Sequence, residues 1–143
     1  MKATASDELR LQMTSDPAGI ADVRHRAEAF AVAHGFDERA VGEVGLVLNE
    51  AVANVIRHAY DNAPGQPIEI DLHMVDDELQ IQVRDYGNGV TPDLTKEKTE
   101  LHTPGGLGLP CMKQMMDELH FEPQPGGMLL RMTKALRKAG PKP

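Results

Sequence analysis

The sequence predicts an α+β chain folded as a two-layer α/β sandwich, with helices on one face of a mixed, mostly antiparallel sheet. Three observations predict it. Apolar residues recur at strand spacing, then at helical spacing over two long stretches, then at strand spacing again with one short helix interposed. The strand patterns alternate apolar with polar residues, so each strand keeps one wet face and the helices need cover only the other. A length of 143 residues, 41% of them apolar, suits one packed core and hardly accommodates two full-sized domains.

The elements follow in order. Leu9, Leu11 and Met13 alternate with Arg10, Gln12 and Thr14, the period-two pattern of a short strand. Ser15-Asp16-Pro17 places a capping side chain ahead of a proline in a first helical turn. Ile20, Val23, Ala27, Phe30 and Ala31 then recur at helical spacing until Gly35 ends the run near His34. A second helix opens after Asp37 and runs to about Tyr60 on the stripe Val41, Val44, Leu48, Val52, Val55 and Ala59. Asn62, Pro64, Gly65 and Pro67 make a loop. Strands follow at Ile68 to His73 and Leu79 to Arg84, joined by a hairpin turn at Asp76-Asp77. The segment from Asp85 to Gly108 holds five glycines and reads as a long functional loop. Leu109 to Leu119 is a short helix that tolerates Pro110 because it falls in the first turn. His120 to Glu122 begin a strand, Pro123 to Gly127 turn it, and Met128 to Met132 return.

Composition removes several function classes. Three Phe, two Tyr and no Trp leave little with which to stack single-stranded bases, and a net charge of −7 argues against nucleic acid or an acidic membrane as the main partner. The lone Cys111 makes no internal disulfide and reads as a structural thiol in a reducing, cytoplasmic setting. The polar stretch from Met1 to Arg10 is no secretory signal, and no apolar run approaches the ~20 residues of a membrane span. From Arg131 to Pro143 there are five basic residues and no acidic one, so 135–143 read as a solvated basic tail after a core running from about Leu9 to Lys134.

Three constellations carry chemistry. Glu50, Asn54 and His58 stand four residues apart on the second helix, so successive members rotate by only about 40° and line one stripe. Their neighbours Val47, Leu48, Ala51, Val52 and Val55 are apolar, so the stripe is either a solvent face extended by Glu43 and Arg57 or a buried row that needs a ligand. Asp85-Tyr86-Gly87-Asn88-Gly89 places a carboxylate at a strand end with two glycines beside it, as a plain turn does or as a close-fitting ligand site does. Thr103-Pro104-Gly105-Gly106-Leu107-Gly108-Leu109 runs into a helix N-terminus, where free N–H groups cradle phosphate. No Walker-type loop, dinucleotide fingerprint or zinc-protease His pair is present, and the six His residues are scattered.

In this order the three motifs resemble those of the GHKL superfamily, the Bergerat ATP-binding fold shared by gyrase, the ninety-kilodalton heat-shock protein, histidine kinases and MutL. Glu50-x-x-x-Asn54 matches its N box, Asp85-x-Gly87-x-Gly89 its first glycine box, and Gly105-Gly106-Leu107-Gly108-Leu109 its second. The stretch from Leu48 to Tyr60 and the run Met112-Lys113-Gln114-Met115-Met116-Asp117-Glu118 are similar to bacterial anti-sigma factor serine kinases of the partner-switching type.

The resemblance implies ATP and Mg²⁺ as cofactors and a serine or threonine as acceptor. Asp85 would accept from the adenine amino group, Asn54 would ligate Mg²⁺, and Glu50 would be the general base. Gly87, Gly89, Gly105, Gly106, Leu107 and Gly108 would surround the nucleotide, His58 would lie beside it, and Val90 to Pro104 would form a lid. The penultimate turn reads Gly127-Met128-Leu129 where many relatives have Gly-Thr-Thr. The implied partners are a sigma factor, which the protein sequesters, and a small anti-anti-sigma antagonist of the STAS type, which it phosphorylates; a homodimer, a cytoplasmic setting and no direct contact with nucleic acid or membrane go with them. Two rival readings are a non-catalytic ATP-binding module that sequesters a partner, against which intact Glu50 counts, and a domain that passes phosphate to a histidine on another protein.

Overall fold

The computed structural model describes residues 7–88 and 108–137. In chain order it has β1 (Glu8–Thr14), a 3-10 turn (Pro17–Gly19), α1 (Ile20–Ala33), α2 (Glu38–Asn54), a π-helical turn (Val55–Ala59), β2 (Pro67–Val75), β3 (Glu78–Asp85), α3 (Gly108–Met115), β4 (Glu118–Gln124) and β5 (Gly127–Ala135). The strands form one sheet in the order β1-β2-β3-β5-β4, and every described pairing is antiparallel. The layering is the expected one, with the mostly antiparallel sheet antiparallel throughout what is described.

Local chemistry sets the helix boundaries. The Asp16 carboxylate accepts the Ala18 N–H at 2.9 Å, and Pro17 pre-sets the first turn. That turn is 3-10, and α-helix proper starts at Ile20. Gly35, at φ +94°, ends α1. The Asp37 side chain accepts the Ala40 N–H at 2.8 Å and starts α2.

The second helical stretch reaches Ala59, as expected, but not as one regular α-helix. Its last turn is wider, with the Tyr60 N–H donating to the Val55 carbonyl at 3.0 Å. Asp61 and Asn62 follow at positive φ and turn the chain toward β2. Buried Ser15 ties this corner to β1: its hydroxyl donates to the Ala63 carbonyl at 2.6 Å and accepts the Gln66 N–H at 2.9 Å.

The core lies between the helices and one face of the sheet. Val44, Val47, Leu48, Ala51 and Val52 of α2 are buried with Val23, Ala27 and Phe30 of α1 and with the alternate residues Ile68, Ile70, Leu72, Leu79, Ile81 and Val83 of β2 and β3. Asp76 and Asp77 both have positive φ, the backbone a tight two-residue hairpin demands.

Two expected boundaries move. The short helix stops at Met115 instead of Leu119, because β5 claims the chain beyond it. The Lys134 ammonium donates to the Met115 carbonyl at 2.7 Å, the Asp117 N–H to the Thr133 carbonyl at 2.8 Å, and Leu119 packs into the core from β4. β4 then runs through Pro123, which an edge strand tolerates, so the turn shrinks to Pro125-Gly126 with Gly126 at φ +71°.

The first residues of the basic tail are tied down. The Ala135 N–H donates to the Asp117 carboxylate at 2.7 Å, Arg137 pairs with the same carboxylate at 3.1 Å, and the Leu136 N–H donates to the Asp77 carbonyl at 2.7 Å. The side chain of Cys111 and residues 138–143 lie outside the described residues. No helix among the described residues is long and apolar enough to cross a membrane.

The open face of the sheet carries a charge network at β1 and β2. Arg10 lies 2.9 Å from Glu8 and 3.6 Å from Asp71. Partial burial, a hydrogen bond with Glu8 and the charge of Glu8 push the Asp71 carboxyl up to about 6, while Arg10 draws Glu8 below its usual range. A carboxyl raised on folding favours the folded state below its unfolded value, and that advantage is lost as pH rises through the folded value. Asp71→Asn is therefore expected to raise the unfolding midpoint by about 2–4 °C at pH 7.5. At pH 4 it should change little, and thermal unfolding at the two pH values checks the difference.

Candidate functional site

Glu50 and Asn54 occupy successive turns at the C-terminal end of α2 and are 2% and 9% exposed. The same helix buries Val47, Leu48, Ala51 and Val52, so the polar pair is not a solvent face. Two polar side chains inside an otherwise apolar packing surface are costly unless something bonds them. His58 does not continue the buried row. It lies past the start of the π-helical turn with its side chain exposed, and its carbonyl accepts the Asn88 side-chain N–H at 3.0 Å. Glu43, the other supposed extension of that face, pairs instead with Lys134 at 2.8 Å.

The Asn54 amide is held at both ends. Its Nδ2 donates to the Sδ of Met112 at 3.6 Å, and its Oδ1 accepts from the Arg57 guanidinium at 3.0 Å. Met112 is fully buried on α3, so this contact joins the helix after the second glycine-rich motif to the helix bearing the first constellation.

Asp85 ends β3 and is 3% exposed. Burial pushes its carboxyl up; donation from the Gly87 and Met128 N–H groups and the charge of Arg84 pull it back in part. The Gly87 N–H lies 3.0 Å from Oδ1. Such a carboxylate, dry but oriented, is a specific acceptor for an amino group.

Close backbone approaches bring the β3 end against α2. A Cβ on Gly87 would overlap the Ala59 carbonyl, to which the Asn88 N–H donates at 3.3 Å. Next to it the Tyr60 hydroxyl accepts the Tyr86 N–H at 2.7 Å and donates to the Pro67 carbonyl at 2.5 Å, and burial raises its pKa. Gly127 serves the neighbouring strand in the same way, since a Cβ there would overlap the Asp85 carbonyl oxygen.

Glu50, Asn54, Asp85 and Gly87 thus sit on elements packed around the end of α2, with Gly108 opening α3 beside them. Gly89, Gly105, Gly106 and Leu107, and the supposed lid from Val90 to Pro104, lie outside the described residues. Sequence reasoning missed Met112, Tyr60 and Gly127 as site-builders. The sequence offers Met112 only as part of a short helix and of the run to Glu118, Tyr60 as a helix end and Gly127 as a turn residue. Only Gly127, next to a Pro-Gly turn yet inside a strand pattern, carried a signal, since glycine in a strand marks a close approach.

The donor set suits a nucleotide and a hard cation. An amide oxygen with a carboxylate one turn away is the oxygen chemistry that Mg²⁺ accepts, usually with phosphate and water completing its shell.

The family model for the histidine kinase-like ATPase domain matches residues 13–134. The serine-protein kinase RsbW of Listeria innocua is 26% identical over 147 aligned positions, covering 95% of this chain and 92% of that protein. The anti-sigma F factor of Caldanaerobacter subterraneus is 38% identical over 101 positions, covering 66% of this chain and 69% of that protein. Among solved structures, the RsbU and RsbW domains of a Mycobacterium tuberculosis protein superpose with a TM-score of 0.69 at 16% identity, over 92% of this chain and 32% of that one. The histidine kinase domain of a blue-light activated kinase from Erythrobacter litoralis gives 0.55 at 18% identity, over 84% and 60%. At those identities the two structures speak to the fold.

Proposed function

The chain belongs to the histidine kinase-like ATPase domain family, and from that premise we propose that it is an ATP- and Mg²⁺-dependent protein serine kinase and anti-sigma factor. It holds a sigma factor inactive in the cytoplasm and phosphorylates a small STAS-type antagonist that would otherwise displace that sigma factor. The relatives named as serine-protein kinase and anti-sigma F factor support the class of partner. The observation that carries the catalytic half is buried Glu50, one helical turn before Asn54. A module that only binds nucleotide needs no base there.

Asp85 selects adenine, because its acceptor meets the exocyclic amino group where guanine presents a carbonyl. Asn54 would hold the cation through Oδ1, its amide oriented by the contact of Nδ2 with Met112 Sδ. When bound, Mg²⁺ neutralises charge on the phosphates. Glu50 takes the proton from the attacking serine hydroxyl, and its burial keeps that proton from exchanging with bulk water. Gly108 and the helix it opens present N–H groups toward the phosphate end.

The test is incubation of the purified chain with γ-labelled ATP and a small STAS-type antagonist from the same cells. An acid-stable phosphoprotein is the expected product. An acid-labile one would indicate transfer to histidine, and ATP binding without any transfer would reduce the protein to a sequestering module.

A further inference from the structure

Arg57 has a position that its surroundings do not account for. Its guanidinium donates to Asn54 Oδ1 at 3.0 Å, three residues back along the widened π-helical turn. Its Nε is buried with no hydrogen-bond partner among the described residues, and no described carboxylate lies within ion-pair distance of it. Among the described residues this cation thus has no anion beside it, and it is bonded to Asn54 Oδ1, a neutral oxygen suited to binding a cation.

We propose that Arg57 is a stand-in cation: in the nucleotide-free protein its guanidinium holds Asn54 Oδ1, and metal loading exchanges that hydrogen bond for a metal–oxygen bond. This rests on the reading of the site as one for ATP and Mg²⁺. Two features carry it. The amide cannot simply turn over to offer its oxygen elsewhere, because Met112 Sδ holds Nδ2 on the opposite side and a turned amide would aim its NH₂ at the guanidinium. A guanidinium and a divalent cation on one oxygen would also repel each other strongly in a half-buried site, so one must leave. Arg57 is half-buried on a terminal turn and has the free stem length to do so.

Arg57 is therefore a positioning residue. Before metal arrives it keeps Asn54 oriented and screens a cation site that would otherwise be open. Its cost is competition, since every metal ion must first displace a charge-assisted hydrogen bond.

The test titrates free Mg²⁺ against wild type, Arg57→Gln and Arg57→Lys at saturating fluorescent ATP analogue, reading bound nucleotide. Removing the competitor is expected to lower the Mg²⁺ concentration for half-saturation about fivefold in Arg57→Gln, with Arg57→Lys between it and wild type. A merely structural role would move it the other way, because a disordered Asn54 binds metal worse. An unchanged or raised half-saturation in Arg57→Gln, with the protein folded by thermal unfolding and nucleotide still bound, overturns the exchange alone. A wild-type protein that binds no nucleotide analogue at any Mg²⁺ concentration overturns the ATP reading and the exchange with it.

Discussion

Glu50→Gln is expected to cut phosphoryl transfer to the antagonist by about 100-fold to 10,000-fold, the range that loss of a general base spans. ATP should still bind. Gln keeps the volume of a side chain that is 2% exposed among Val47, Leu48 and Ala51, so the packing around it survives. What disappears is the capacity to accept a proton. The measurement is the rate of label transfer at saturating ATP beside the affinity for a fluorescent ATP analogue. A Glu50→Gln protein with undiminished transfer would remove Glu50 from the chemistry.

The second large effect is on recognition. Asp85→Asn puts a donor where the adenine amino group needs an acceptor, and the affinity for ATP is expected to fall by about 100-fold or more. The stability change has the opposite sign. Burial raises the Asp85 carboxyl in the folded protein, so its contribution is most favourable below the unfolded carboxylate range and is lost as pH rises through the folded value. Burial penalises the ionised form of Asp85 in the folded protein, and an amide there carries no such charge. Asp85→Asn should therefore unfold at a temperature no lower than wild type at pH 7, while titration calorimetry with ATP shows the loss of binding. A joint loss of stability and binding would mean that Asp85 is a structural residue.

Both residues were legible in the sequence, and for the same reason. A charged side chain in an apolar helical pattern, or at the end of a clean period-two strand, stands out against its neighbours. β2, β3, the caps at Asp16 and Asp37 and the Asp76-Asp77 turn were legible because each depends on residues only a few positions apart.

What escaped depends on partners far along the chain. Leu119 fits a helical stripe with Met112 and Met116, and only its pairing with Met132 of β5 makes it a strand residue. The π-helical turn follows no propensity of Val55 to Ala59; it coincides with the Ala59 carbonyl receiving Asn88 and with Tyr60 bridging Tyr86 and Pro67. The place of His58 outside the buried row follows from that turn. Met112 on Asn54 and Gly127 against Asp85 are likewise contacts between segments that local spacing never compares.

The pairing of β1 with β2 has a consequence for how the chain acquires its fold. β2 with β3 and β4 with β5 are neighbours in sequence and close short loops, whereas Glu8 meets His73 and Thr14 meets Pro67 only across both long helices. Closing that large loop costs entropy before any contact repays it. β1, which precedes both helices, is then expected to dock late, and the helices and the β2–β3 hairpin assemble around Glu50 and Asp85 while one edge of the sheet still awaits it.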